Sequence, residues 1–165
     1  MSERQTASPR LAELKSLIGR GEIDTLIVAL TDMQGRLMGK RVQAQAFLDG
    51  VVDHGAHFCT YLLGTDMEMN TPAGFALMNW ETGYGDWIAM PVWDTMRVLP
   101  WLEKTALVLG DTIDEETHQE IPVSPRTMLK RQVARAAERG YVIKAGSEFE
   151  YFLLRDTFDD VHRKG

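Results

Sequence analysis

The segment DTLIVALTDMQGRLMGKRV, residues 24–42, specifies a β-hairpin. Its first part, Asp24–Thr31, is a short apolar run with several β-branched residues, which is typical of a strand. Asp32–Gly35 then supplies residue types that favour turns, and Arg36–Val42 resumes an extended pattern. We therefore predict two antiparallel strands joined by a four-residue connection.

Further strand candidates follow the hairpin. His57–Leu63, Trp87–Val92 and Ala106–Leu109 are apolar runs that resemble strands in composition. Residues 64–85 contain glycines, a proline and a mixture of Met, Asn and Thr, which predicts mostly loop. Residues 21–112 are therefore predicted to form a small mixed α+β domain in which strands dominate.

Two helices are predicted beside these strands. Ser8 is suited to cap a helix and Pro9 to occupy its first turn, and an amphipathic run follows them. We therefore assign the segment 1–20 to an N-terminal helix. Ala44–Leu48 is predicted to form one or two helical turns that end at Gly50.

An acidic stretch that contains a proline, residues 113–123, is interpreted as a linker. A helix is predicted over residues 124–139, where apolar residues recur on one face. A strand, or two strands with a bend at Gly146, is predicted for Tyr141–Leu154. Residues 124–165 would thus begin a second domain.

The segment GSEFEYFLL, residues 146–154, is the most informative for chemistry. Residues two apart in a strand share a face, so Glu148 and Glu150 should project together. The alternating apolar side chains should point into a core: Phe149, Tyr151 and Leu153. By spacing alone, a solvated strand face is the preferred interpretation of the pair. The alternative is a site for Mg²⁺ or Mn²⁺, since a hard divalent cation offsets the repulsion between two carboxylates.

Composition argues against several classes of protein. The formal net charge is −6, with 44% hydrophobic and 25% charged residues. An acidic chain is a poor binder of nucleic acid, which selects basic surfaces. No segment approaches the ~20 apolar residues that a membrane span needs, and residues 1–10 lack the apolar stretch of a signal peptide. The expected location is the cytoplasm, without a membrane partner.

Four segments, taken in order, resemble the N-terminal part of the glutamine synthetase family. They are TDMQGRLMGK (31–40), GYGDWIAMP (83–91), PVSPR (122–126) and the acidic segment 146–154. The resemblance covers roughly residues 22–154, and the acidic segment is its most specific part.

This resemblance implies a β-grasp domain at 21–112, followed by the first helix and strand of a catalytic domain. Members of the family assemble into stacked rings, with active sites between the β-grasp domain of one subunit and the catalytic domain of its neighbour. The implied reaction uses ATP to phosphorylate the γ-carboxylate of glutamate, after which ammonia or an amine displaces phosphate. Mg²⁺ or Mn²⁺ would neutralise the charge of the phosphates.

The resemblance also implies roles for individual residues. Glu148 falls at the ligand of the metal nearer the ATP phosphates, and Glu150 at the ligand of the metal nearer glutamate. Asp66 corresponds to an aspartate that helps to bind ammonium, within a Phe-Asp-Gly-Ser-Ser stretch of the glutamine-forming members. Here residues 67–69 are Met-Glu-Met instead of Gly-Ser-Ser, which favours an organic amine over ammonia. A turn or cap role for Asp66 remains the alternative.

The tryptophans raise a related question. Trp80, Trp87, Trp93 and Trp101 lie within one short stretch and could line a pocket for an aromatic amine. Core and interface packing is the preferred interpretation.

The family's other metal ligands, and its arginines for ATP and glutamate, would lie beyond Gly165. The catalytic domain is therefore expected to be truncated, and this chain alone is expected to be inactive as a ligase. The alternative is a non-catalytic β-grasp module that assembles with a full-length synthetase or regulates it.

Overall fold

The computed structural model describes residues 8–76, 78–81 and 83–164. Its centre is a six-stranded sheet with the strand order β2-β1-β6-β4-β3, in which β5 also pairs with β6. The strands are β1 (Thr25–Thr31), β2 (Leu37–Gln43), β3 (Ala56–Cys59), β4 (Asp86–Pro91), β5 (Arg97–Val98) and β6 (Thr105–Asp114). The β1–β6 pair is parallel and the other pairs are antiparallel. The predicted mixture of helices with a dominant sheet is confirmed.

The chain divides into two compact units, one that ends at Gln132 and one that begins at Val133. The whole sheet belongs to the first unit. The predicted domain limits, 21–112 and 124–165 with a linker at 113–123, stay predictions. Residues 1–7 of the predicted N-terminal segment 1–20 lie outside the described residues.

The predicted hairpin is confirmed in β1 and β2, which pair from Thr25 with Gln43 to Thr31 with Leu37. The turn between them, residues 32–36, is one residue longer than predicted. The Asp32 amide donates to the Arg36 carbonyl at 2.9 Å, which keeps Arg36 in the turn.

β6 is longer than the predicted Ala106–Leu109, because it continues to Asp114. The extension pairs with β4, where Pro91 lies opposite Gly110. A side chain at Gly110 would place its Cβ 2.5 Å from the Cβ of Ala89, so the close approach of these two strands requires glycine.

Helix α1 (Pro9–Gly19) confirms the predicted N-terminal helix. The next helical segment, α2, runs over residues 44–54 and includes a π-helical turn, Phe47–Val51. The predicted end at Gly50 is wrong, because the buried side chains of Phe47 and Val52 hold the helix on both sides of that glycine. α2 ends instead at His54, and Gly55, which caps it, has a φ of +74°.

The strand predicted for His57–Leu63 is shorter, since β3 stops at Cys59 and a 3₁₀ turn, Thr60–Leu63, follows. The described residues within 64–85 are mostly loop, as predicted. The core joins α1, α2 and the sheet, through residues that include Leu11, Leu14, Leu26, Val28, Phe47, Phe58, Trp87, Trp93 and Val108. Trp87 and Trp93 are therefore core residues, as the preferred interpretation of the tryptophans predicts.

Helix α3 (Pro125–Glu138) confirms the helix predicted over 124–139. The strand predicted for Tyr141–Leu154 is wrong, since those residues have no regular secondary structure. A strand needs a neighbour for its backbone hydrogen bonds, and none of the described strands pairs with this segment. A short helix that was not predicted, α4 (Phe158–Lys164), follows. Within the described ranges, no helix combines the length and the apolar character that crossing a membrane would require.

Candidate functional site

The β1–β2 turn is fastened to a loop that lies thirty residues further along the chain. We call residues 32–36 and 65–70 together the hairpin clasp. Arg36 links its two parts, because its Nη1 donates to the carbonyl of Met67 at 2.8 Å and its Nη2 to the carbonyl of Asp66 at 3.1 Å. The loop that carries Asp66 is thus held by side-chain hydrogen bonds from the hairpin.

Asp32 is the buried anion of the hairpin clasp, at 1% exposure. Its Oδ2 accepts a hydrogen bond from Arg36 Nε at 2.6 Å. Its Oδ1 accepts bonds from the backbone amides of Gln34 at 3.0 Å and Arg36 at 2.8 Å. Burial opposes the charge of this carboxylate, but the hydrogen bonds from Arg36 and Gln34 outweigh it and hold the pKa of Asp32 below its usual value.

Asp66, the predicted amine-binding residue, lies half-buried in the second part of the hairpin clasp. Its Oδ1 accepts bonds from the amides of Glu68 at 3.0 Å and Asn70 at 2.8 Å, and its Oδ2 accepts one from Asn70 Nδ2 at 3.0 Å. The Asn70 side chain is the main reason that the pKa of Asp66 is lowered. The residue therefore acts as a turn cap, and it remains an anion whose Oδ2 has a further lone pair available.

Glu148 and Glu150, the predicted metal ligands, are exposed in the segment 141–154. Divalent cations such as Mg²⁺ take about six oxygen ligands, so two carboxylates do not complete a site. Among the residues that the structure describes, no group of three or more His, Cys, Asp or Glu could hold a metal ion. The described residues therefore do not form a metal centre by themselves, and the assignment of this pair stays a prediction.

A small cavity of about 320 Å³ lies in the loop 71–84. We call it the aromatic cavity, after the side chains that line it: Phe75, Trp80 and Tyr84, with Thr71, Asn79 and Glu81. The rings of Trp80 and Tyr84 meet edge to face, with centroids 5.0 Å apart. Trp80 is 79% exposed, so it lies outside the core, and the described residues do not cover it.

A second cavity of about 350 Å³ shares Thr71, Trp80 and Tyr84 with the first. Its other walls include Tyr61 and Met69. Met69 belongs to the hairpin clasp and its amide donates to the carbonyl of Asp66 at 3.2 Å. The aromatic side chains and the predicted amine-binding loop are therefore neighbours.

A broader groove of about 810 Å³ lies over β3, β4 and β6, and includes His54, His57 and His118 among its lining residues. Asp111, one of its lining residues, accepts hydrogen bonds from Arg126 Nε at 2.7 Å and Lys130 Nζ at 2.9 Å. The carboxylate of Asp111 is thus already neutralised by ion pairs within the chain.

Sequence reasoning identified Asp66 but missed its connection to Asp32 and Arg36. The signal that could have revealed it is local, because an aspartate that begins a turn often caps the amide two residues later. The contact of Arg36 with loop 65–70 has no such signal, since it joins residues far apart in sequence.

Comparison with known proteins adds a second line of information. The chain is 44% identical to gamma-glutamylethanolamide synthetase GlnA4 of Streptomyces coelicolor over 89% of its length, which is 32% of that protein. It is 31% identical to glutamate–isopropylamine ligase of a Pseudomonas species, over 92% of this chain and 33% of the relative. It is 32% identical to the glutamine synthetase of Rhizobium leguminosarum bv. phaseoli, over 80% and 27% respectively. The chain thus spans about a third of the length of the curated relatives that it matches.

Among solved structures, the chain resembles one described as a GmaS/ADP complex, with a TM-score of 0.58 and 27% identity. The match covers 76% of this chain and 26% of the other. No protein-family model matches the chain.

Proposed function

The chain belongs to the glutamine synthetase family, and from this premise we propose that it forms part of an ATP-dependent ligase that joins glutamate to an amine. In the proposed reaction ATP transfers its terminal phosphoryl group to the γ-carboxylate of glutamate, which yields ADP and γ-glutamyl phosphate. The nitrogen of the acceptor then attacks the activated carbon, loses a proton and displaces inorganic phosphate. The observation that carries the proposal is the 44% identity to a relative named as a gamma-glutamylethanolamide synthetase.

The proposed acceptor is an organic amine in preference to ammonia. Two relatives that match most of this chain are named for amides or amines of this kind, ethanolamide and isopropylamine. The sequence Met-Glu-Met after Asp66, in place of Gly-Ser-Ser, supports the same choice. Asp66 is proposed to attract the ammonium form of the acceptor through its carboxylate, which the hydrogen bonds from Asn70 keep ionised.

Glu148 and Glu150 are proposed as ligands of two different divalent ions, Mg²⁺ or Mn²⁺, in the intact protein. The described residues supply no third ligand, so the chain alone is proposed to have no ligase activity. Binding of glutamate, ATP and the metal ions would require further side chains, which the described residues do not bring together.

A β-grasp domain is proposed for residues 21–112. The strand order supports it, because a β1–β2 hairpin is followed by α2 and by the return of β6 to lie parallel with β1 in the middle of the sheet. Residues 113–123 are proposed as the linker to a catalytic domain that begins at 124–165. Assembly of the intact protein into a ring of identical subunits belongs to the same proposal.

A phosphate-release assay on the complete gene product that carries this chain tests the function. Glutamate, ATP and Mg²⁺ are incubated with ammonia, methylamine, ethanolamine, isopropylamine or putrescine, and each amide product is identified by mass. We expect release that depends on glutamate and on an organic amine. Release with ammonia alone would overturn the choice of acceptor, and no release with any acceptor would overturn the proposed reaction. The 165-residue chain under the same conditions is expected to release no phosphate.

A further inference from the structure

The aromatic cavity combines features that packing alone does not explain. Trp80 leaves 79% of its surface in solvent, although burying a tryptophan is a large source of stability. Its ring is nevertheless held in place, edge to face against Tyr84, whose ring meets Tyr61 in the same way at 6.3 Å. An ordered row of three aromatic rings therefore presents one end to solvent.

The backbone of the cavity is fixed by one side chain. Asn79 donates from Nδ2 to the carbonyl of Phe75 at 3.0 Å, and its Oδ1 accepts from the amide of Glu81 at 2.9 Å. These two bonds join Phe75 and Glu81, which line the cavity with Trp80. The walls are thus arranged before any ligand arrives, which lowers the cost of binding.

The charge of the cavity is suited to a cation. Among the described residues, its lining contains one carboxylate, Glu81, and no Lys, Arg or His. A cationic group contacts the neighbouring second cavity, because Arg36 Nη2 lies 3.6 Å from Met69 Sδ. That guanidinium is already paired with Asp32. An ammonium group would therefore meet aromatic faces and a carboxylate without an opposing charge in the lining.

We propose that the aromatic cavity binds a small primary alkylammonium ion, with its charge against the Trp80 and Tyr84 rings and Glu81, as the site that selects the acceptor amine. The proposal rests on the proposed function, and it names Trp80 and Glu81 as specificity residues beside Asp66. Cations bind aromatic faces electrostatically, and the short alkyl chain is buried against Phe75. The volume of about 320 Å³ lies at the lower end of the range found for small-molecule pockets and accommodates a small alkylammonium ion.

Direct binding to the 165-residue chain tests the cavity without requiring catalysis. The chain is titrated with isopropylammonium chloride at pH 7, and binding is followed by calorimetry and by tryptophan fluorescence. Isopropanol, which has the same shape and no charge, is the matched control. We expect saturable binding of the ammonium ion and none of the alcohol. Equal binding of both, or binding of neither, overturns the proposal.

Two substitutions and a matched control locate the site. Trp80→Ala should weaken binding about tenfold, and Glu81→Gln by about threefold. Trp101→Ala removes another exposed tryptophan, at 74% exposure, that does not line the cavity, and should leave the affinity unchanged. Far-UV circular dichroism confirms that each variant is folded. An unchanged affinity in Trp80→Ala, or a loss in Trp101→Ala as large as in Trp80→Ala, contradicts the assignment.

The same variants in the complete gene product separate this proposal from the proposed function. Trp80→Ala should raise the KM for the amine about tenfold and leave the KM for glutamate unchanged. If amide is formed and the amine KM does not change, the cavity proposal fails and the ligase stands. If no amide is formed but the chain binds the ammonium ion through Trp80, the ligase fails and the cavity stands. A change in self-association in Trp80→Ala, without a change in ammonium affinity, would show instead that Trp80 contacts a second copy.

Discussion

The turn at residues 32–36 and the segment 146–154 both carry carboxylates, but their surroundings are opposite. Asp32 is 1% exposed and accepts three hydrogen bonds from its own turn. Glu148 and Glu150 are exposed, and Phe152 beside them is 95% exposed. The carboxylate of the first region finds its hydrogen-bond donors within four residues, whereas those of the second find none among the described residues. A charged pattern in the sequence therefore becomes a structured site only where the chain also supplies its neighbours.

Removing one phenylalanine from the packed core and one from the segment 146–154 is expected to give the largest difference in stability. Phe47→Ala should lower the free energy of unfolding by about 4 kcal/mol, because Phe47 is fully buried and packs edge to face against Trp93. Phe152→Ala should change it by less than about 0.5 kcal/mol, since that ring is 95% exposed. Urea unfolding followed by fluorescence measures both values. A large loss in Phe152→Ala would mean that the segment 141–154 is packed in solution.

Removing a carboxylate from each region is expected to give the next largest effect. Asp32→Ala leaves the Arg36 guanidinium and two amides without their acceptor, and should cost about 3 kcal/mol of stability. Glu148→Ala is the matched control and should leave the urea midpoint unchanged, because the side chain is exposed. Equal midpoints for Asp32→Ala and the unsubstituted chain would show that the hairpin clasp does not stabilise the fold.

This contrast also explains what the sequence could and could not predict. The hairpin was predictable, because an apolar, β-branched run, a turn and a second extended run act over short range. The length of β6 was not, since its pairing with β4 depends on the close approach of Gly110 to Ala89. The strand at 141–154 was predicted from the same kind of local pattern, and it fails because no described strand pairs with it. The residue types at Asp66, Glu148 and Glu150 were visible in the sequence, whereas the fastening of loop 65–70 by Arg36 and the aromatic cavity required the fold.

Two glycines in the first unit, at the end of α2 and within it, also differ in their surroundings. Gly55 has a φ of +74°, and a Cβ there would lie 2.3 Å from Cγ2 of Ile88. Gly55→Ala should therefore cost about 2 kcal/mol, from backbone strain and overpacking. Gly50 lies inside α2 with open space around it, so Gly50→Ala should stabilise the chain by about 0.5 kcal/mol. Thermal unfolding compares the pair, and similar shifts of the two melting temperatures would contradict the assigned end of α2.

The hairpin clasp also contributes a small dependence of stability on pH. Because the pKa of Asp32 is lower in the folded state, its contribution is present above its unfolded pKa of about 4 and is lost as the pH falls through the folded value. Asp32→Asn should therefore show a shallower loss of stability between about pH 5 and pH 2. The pKa values of Asp66 and Asp114 are also lowered, but both residues are present in both proteins. Their contributions therefore cancel when the stability of Asp32→Asn is subtracted from that of the unsubstituted chain. Lys130, whose raised pKa is set by hydrogen bonds to Glu120 and Asp111 that outweigh its burial, acts only at alkaline pH. At alkaline pH the free energy of unfolding should therefore depend on pH in the same way in both proteins. Parallel curves at acid pH would show that Asp32 is ionised equally in the folded and unfolded chains.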